Sequence, residues 1–457
     1  MIAGVALGLL IGLPILWRSG LLEQREFVDA VGVNGSTATQ IRLWLADPRF
    51  FVPVGTRMVT NHPSMVRQTF DIEKPQDEFR VFLLGGSAAL GSPYVHSQPE
   101  IENVDLGELD LTNTGGIATW VESYFEILYP QRTVRVVNAA ASSQDIRTAA
   151  AVFTAVVEEG SPDLVLVMSG NNESYAKEYR TSEEFETALA ALTTRYAANV
   201  ATIAALAEQR RVSTYFLSVP TNLRDWFPVG DTNEVPTTRI TRAAELATST
   251  PEAPEIDLLL EAVGDTEHPI YHYVSGLRHF ARGNEDAAYT ELLAAKDRDY
   301  NLIRAHSNWN RAALAAEGTY VRGLDLEQEL RSAAEGGVPG FDLFHDNCHL
   351  TIEGNAAAAR AIANFHQQEA KLHPVDLPKL DVRGYLKRNL EALYAIKAAK
   401  WTRIDELGQF EHLGEENRQR IAQQFQSEQG FLHNVDQIIY LYETDLDPTA
   451  STADPSQ

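Results

Sequence analysis

From residue 79 onward the chain alternates short apolar runs with longer stretches of helical periodicity. Residues 79–84 (FRVFLL), 134–137, 163–168 (DLVLVM), 212–219 and 320–326 are short and rich in branched side chains, which predicts buried strands. Between them, residues 117–128, 144–159 and 183–210 carry apolar positions at helical spacing. Strands and helices alternating at these lengths predict a parallel sheet with helices on both faces, an α/β fold.

The alternation breaks between the fourth and fifth strands. Residues 232–254 are rich in Thr, Pro and charge and read as a loop. Residues 269–302 fit one tetratricopeptide-like helical hairpin, with Gly276, Gly283, Ala288, Leu292 and Ala295 at its small or apolar positions. One copy cannot make a solenoid, so it reads as an inserted hairpin, expected beside the mouth of any site at the strand ends. Amphipathic helices are predicted after Pro378, and the polar stretch 445–457 predicts a disordered tail. At the other end, residues 2–17 are uncharged and apolar. As a helix they span roughly 24 Å, and no A-x-A-like cleavage site follows, which predicts a membrane anchor.

The expected organisation is therefore an anchor over 1–22, a juxtamembrane segment over 23–75 and an α/β domain in two parts, 76–228 and 319–376. The insertion occupies 229–318, C-terminal helices 377–444, and the tail 445–457. The hydrophobic content of 44% is that of a globular chain with a sizeable core. A formal net charge of −25 repels phosphate backbones and argues against a nucleic-acid partner. The single cysteine, Cys348, rules out an internal disulfide framework.

Ser87 follows the first apolar run directly, in Gly85-Gly86-Ser87-Ala88-Ala89-Leu90-Gly91. Glycines there allow a sharp turn that exposes the hydroxyl at the carboxyl edge of the sheet, where open α/β folds place their sites. A phosphate-binding loop would need Lys where Ser92 stands, and the G-x-S-x-G elbow would need Gly at Ala89. A serine hydroxyl needs an imidazole to take its proton, and the imidazole needs a carboxylate to fix its tautomer. Asp346-Asn347-Cys348-His349 supplies both from one turn, with His345 a weaker competitor for the base. Oxyanion donors are expected from the turns after the second and third strands, 138–143 (NAAASS) and 169–173 (SGNNE). Arg224 and Arg304 read as surface or loop-anchoring residues, with reach into the site as the alternative, and Cys348 as a small core residue. No cluster of His, Cys and Asp has a metal-ligand spacing, so neither metal nor cofactor is expected.

With these blocks in view, the chain resembles the SGNH hydrolase superfamily. FRVFLLGGSAALG resembles its serine block, VVNAAASSQD its glycine block with Ala140 in the glycine place, and SGNNES its G-x-N-D block with Gly170 and Asn172 matching. DLFHDNCHLTIEGN resembles the D-x-x-H block. The resemblance implies a three-layer α/β/α flavodoxin-like fold with a helical insertion and a helical C-terminal extension. It also implies Ser87, Asp346 and His349 as triad, and Ser87, Ala140 and Asn172 as oxyanion hole. The expected activity is hydrolysis of an acyl ester, on a glycan or a lipid, through an acyl-enzyme. Transfer to or from a polysaccharide O-acetyl group, and a non-catalytic role in a membrane complex, are the alternatives. A narrower resemblance, to membrane-anchored bacterial proteins with tetratricopeptide-like insertions, rests on residues 220–226 (PTNLRDW) and 297–310. It implies a single-pass protein with its catalytic domain outside the cytoplasm. The exposed face of the single hairpin is expected to meet the domain, a substrate or a partner protein.

Overall fold

The apolar runs become the strands they predict. A computed structural model describes residues 49–95, 114–174, 179–229, 237–263, 267–408, 436, 439–443 and 445–446. The expected anchor, residues 23–48 of the juxtamembrane segment and residues 447–457 of the tail lie outside the described residues. Among the described residues no helix is long and apolar enough to cross a membrane.

Three short antiparallel strands come first: β1 (Phe51–Val54), β2 (Arg57–Thr60) and β3 (Thr69–Asp71). They lie in the expected juxtamembrane segment, where the sequence shows no strong periodicity. The two-residue turn Gly55-Thr56, with Gly55 at φ +61°, joins β1 to β2, and Phe51 and Phe70 turn inward against Phe82.

The main sheet follows. It runs β4 (Glu78–Gly85), α1 (Ser87–Leu90), α2 (Ile117–Leu128), β5 (Thr133–Asn138), α3 (Ile146–Ala155), β6 (Leu164–Met168), α4 (Ser182–Arg210) and β7 (Ser213–Leu217). The insertion holds α5 (Thr237–Ser249), α6 (Pro254–Val263), α7 (Pro269–Ala281) and α8 (Glu285–Asp297). Then come α9 (Ser307–Leu314), β8 (Val321–Leu324), α10 (Leu326–Arg331), α11 (Ile352–Glu369) and α12 (Val382–Gly408). The strands pair in parallel in the order β5-β4-β6-β7-β8. That is the flavodoxin-like order, and its switch point lies at β4, whose two neighbours lead away in opposite directions.

Strand alternation divides the core cleanly. Phe79, Val81 and Leu83 of β4 face α2 and α11, while Phe82 and Leu84 face α3, α4 and α9. The result is the expected three-layer α/β/α architecture. Helix α3 ends in a π turn (Val156–Gly160), where Gly160 packs on the Phe82 ring.

The insertion has a small core of its own, built from Leu223, Leu246, Ile256, Val274, Leu277 and Leu292 among others. Helices α7 and α8 form the expected hairpin, and Gly276 is where they cross: a Cβ there would lie 2.5 Å from Leu292 Cγ. The loop expected at 232–254 is a correction, because α5 and the start of α6 lie in it. Ala243, Leu246 and Ala247 are buried at helical spacing, behind a Thr-rich sequence that masks their periodicity. The tail boundary at 445 is also corrected. Asp445 and Leu446 are helical, and Asp445 reaches the Tyr94 hydroxyl. Tyr442, fully buried just before, docks this segment by donating to Thr114 O.

Candidate active site

Ser87 stands where the sheet's topology puts an open crevice, at the carboxyl end of β4. Gly85 permits this approach: a Cβ on it would lie 1.9 Å from Met168 O on β6. The Ser87 N–H is the first of α1 and has no intrahelical acceptor.

The candidate base, His349, comes from 262 residues away. His349 Nε2 lies 2.8 Å from Ser87 Oγ, and His349 Nδ1 lies 2.6 Å from Asp346 Oδ2. The spacing makes this possible because Asp346 caps its own turn: Oδ1 accepts the Cys348 and His349 N–H groups at 2.8 Å each. An antiparallel bridge between Phe344 and Leu350 closes the base of the turn, and His345 N–H donates to His349 O. From the far side Asn222 Nδ2 donates to Asp346 O, and Asn222 N–H to Asn347 O. His345 points away, its Nε2 2.7 Å from Tyr94 OH, so its position does not suit it to be the base.

Electrostatics follow the geometry. Burial works to raise Asp346, but the His349 hydrogen bond and charge outweigh it and hold the carboxyl below its ordinary range. Burial likewise opposes charge on His349, yet Cys348 and the Asp346 carboxylate raise it above the ordinary imidazole value. Asp346, Cys348 and His349 also bring three potential metal-donor atoms within 4.8 Å of one another, a cluster that linear spacing did not suggest. Two of those atoms are already hydrogen-bonded to each other across Asp346 and His349.

The donor turns are sorted by the structure. Asn172 Nδ2 lies over Gly86, next to Ser87, and donates one hydrogen to Gln144 O at 3.1 Å. Its second amide hydrogen remains for another acceptor. Asn171 instead holds the post-hairpin segment by accepting Ala305 N–H. Ala140 does not sit as expected. It is fully buried and its N–H turns to Asn138 Oδ1 at 3.3 Å, because the pairing of Ala139 and Ala141 with β4 aims residue 140 the other way. Three residues on, Ser143 has φ +61°, and its N–H has no hydrogen-bond acceptor among the described residues. Ser143 belongs to the donor turn expected at 138–143, but nothing in its side chain signals the left-handed backbone that sets it apart there.

Glu173 carries a structural load beside this turn. Fully buried, it accepts Ile146 N–H at the start of α3, and burial with the nearby Asp145 charge pushes it up to about 8. Arg224 and Arg304 are loop anchors, as their sequence context suggested. Arg224 pairs with Asp225 and Asp342, and Arg304 bonds Asn222 O and Asp299.

No protein-family model matches this chain, and no curated protein matches it either. Among solved structures it is similar to Axe2, an acetylxylan esterase from Geobacillus stearothermophilus, at 14% identity and a TM-score of 0.31, over 66% of this chain and 97% of that one. It is also similar to a two-domain esterase (CEX) active on acetylated mannans, at 12% and 0.29, over 66% of this chain and 52% of that one. A third is LAE5, an alpha/beta hydrolase enzyme from the metagenome of Lake Arreo, Spain, at 15% and 0.25, over 64% and 95%. Likeness of this strength is weak, and the α/β/α architecture rests on the sheet and helices of the chain itself.

Proposed function

We propose that this protein is a serine esterase of the SGNH type, with Ser87, His349 and Asp346 as its triad. The observation that carries the reading is the unbroken hydrogen-bonded chain from Ser87 Oγ through His349 to Asp346, at 2.8 and 2.6 Å. Ser87 Oγ attacks the ester carbonyl carbon while His349 Nε2 takes its proton. Asp346 keeps the ring's other proton on Nδ1 and stabilises the imidazolium. The oxyanion is received by Asn172 Nδ2 and the N–H groups of Ser87 and Ser143, the last in place of Ala140. His349 returns its proton to the leaving alcohol, and water then cleaves the acyl-enzyme by the same route.

The test is hydrolysis of a small activated acetate ester by the purified protein. Ser87→Ala and His349→Ala should each lower the rate at least 10³-fold with an unchanged circular dichroism spectrum. Wild-type rates in Ser87→Ala would end the assignment.

A further inference from the structure

Tyr94 lies seven residues after the proposed nucleophile, fully buried, and the proposed chemistry does not use it. Its hydroxyl touches three separated parts of the chain. Asp445 Oδ2 is at 2.6 Å, His345 Nε2 at 2.7 Å, and Ile352 N–H donates to it at 2.9 Å. His345 immediately precedes the Asp346–His349 turn and Ile352 begins α11 just after it. One hydroxyl therefore ties the two ends of the turn that carries the proposed base and carboxylate, and the C-terminal segment reaches it through Asp445.

We propose that Tyr94 and Asp445 are positioning residues, forming a strap by which the C-terminal segment holds His349 against Ser87. This rests on the serine-esterase reading for its kinetic consequence, though not for its geometry.

Donor counting fixes the resting arrangement. A tyrosine hydroxyl has one proton to give and two lone pairs. With Asp445 ionised, Tyr94 donates to its carboxylate and accepts from Ile352 N–H and from His345. His345 must then carry its proton on Nε2. Burial favours a neutral His345 ring, against the pull of Asp346. Burial, and secondarily the Glu353 charge, lift Asp445 to about 6, against the Tyr94 hydrogen bond. When Asp445 takes its proton on Oδ2, the oxygen that faces Tyr94, it donates to Tyr94, which then turns its own proton toward His345 Nε2. The His345 proton moves to Nδ1, and the chain of hydrogen bonds reverses. Among the described residues, the charged or titratable groups facing this cluster are Asp445, Glu353, His345, Asp346, His349 and Tyr442.

Two readouts on the full-length protein test the strap. The first follows the His345 ring nitrogens by NMR in protein labelled with ¹⁵N-histidine, and it does not depend on activity. The wild type should pass from the Nε2–H to the Nδ1–H tautomer as pH falls through about 6, and Asp445→Asn should not. The second is ester kinetics. Tyr94→Phe and Asp445→Asn should each lower kcat roughly tenfold with KM within about twofold, measured per active site by burst titration. A His345 tautomer that ignores pH, or changes identically in Asp445→Asn, would overturn the strap, as would wild-type kcat per active site in both variants. A correct tautomer switch in a protein that hydrolyses no ester would instead place the failure in the esterase reading.

Discussion

Gly86→Ala probes the proposed oxyanion hole without removing any of its polar groups. Gly86 has φ −89° and ψ −159°, an extended conformation that alanine adopts freely, so backbone strain does not enter. The added methyl would instead lie 2.5 Å from Asn172 Nδ2 and 3.1 Å from Gln144 O. Ordinary carbon–nitrogen contact begins near 3.4 Å, so the amide must retreat by about 1 Å, breaking its 3.1 Å bond to Gln144 O. A misplacement of that size at a transition-state donor costs about 10²-fold, or about 2.7 kcal/mol of barrier. We expect kcat on a small ester to fall by about that factor with little change in KM. Asn172→Ala should fall equally. The double variant should be no worse than either single one, since both remove the same donor. Steady-state kinetics on the four proteins of this cycle, with melting temperatures as a control, measures the coupling. Wild-type kcat in Gly86→Ala, or fully additive losses, would refute the placement of Asn172.

His349 must be neutral to take the Ser87 proton, and its pKa is raised, so the acid limb of kcat/KM should lie above pH 6.5. Asp346→Asn should move that limb down while reducing the rate; a wild-type limb below pH 6.5 would contradict the pairing. His366, hydrogen-bonded between the Tyr129 and Tyr215 hydroxyls, is lowered by burial to about 4 against 6.5. The unfolded chain therefore binds this proton first. The contribution is complete above pH 6.5 and is lost as pH falls toward 4, by about 3 kcal/mol. His366→Gln should flatten the decline of melting temperature over that window, and an unchanged slope would count against it. Gly276→Val should push α7 from α8 at Leu292 and lower stability by about 1–3 kcal/mol, read by chemical denaturation. The variant should keep the small-ester rate per folded molecule; unchanged stability would mean the crossing is looser than the structure has it.

The parallel sheet was legible because buried central strands are continuous apolar runs, and because Ile117–Leu128 between two of them carries a helical stripe. Ser87, Asp346 and His349 were legible for a different reason. A serine after a glycine turn and a D-x-x-H each need only local sequence, and the fold brings them together. What escaped were features set by backbone direction or by tertiary contact. The direction of the Ala140 N–H depends on which residues of the turn pair with β4, and the one-residue alternation there turns it away from the site. Ser143 takes a left-handed backbone without glycine. Tyr94 and Asp445 meet across 351 residues, and neither has a local signature. Helix α5 was hidden by its threonines, whose propensity is overridden by the burial of Ala243, Leu246 and Ala247.

In the proposed mechanism Ser87 is a nucleophile activated by His349. Labelling with a fluorophosphonate, followed by peptide mass spectrometry, tests it without knowledge of the ester. A single covalent adduct is expected on the peptide containing Ser87, with no adduct in Ser87→Ala and much slower labelling in His349→Ala. Folded wild-type protein that stays unlabelled, or that labels equally well in Ser87→Ala, would contradict it.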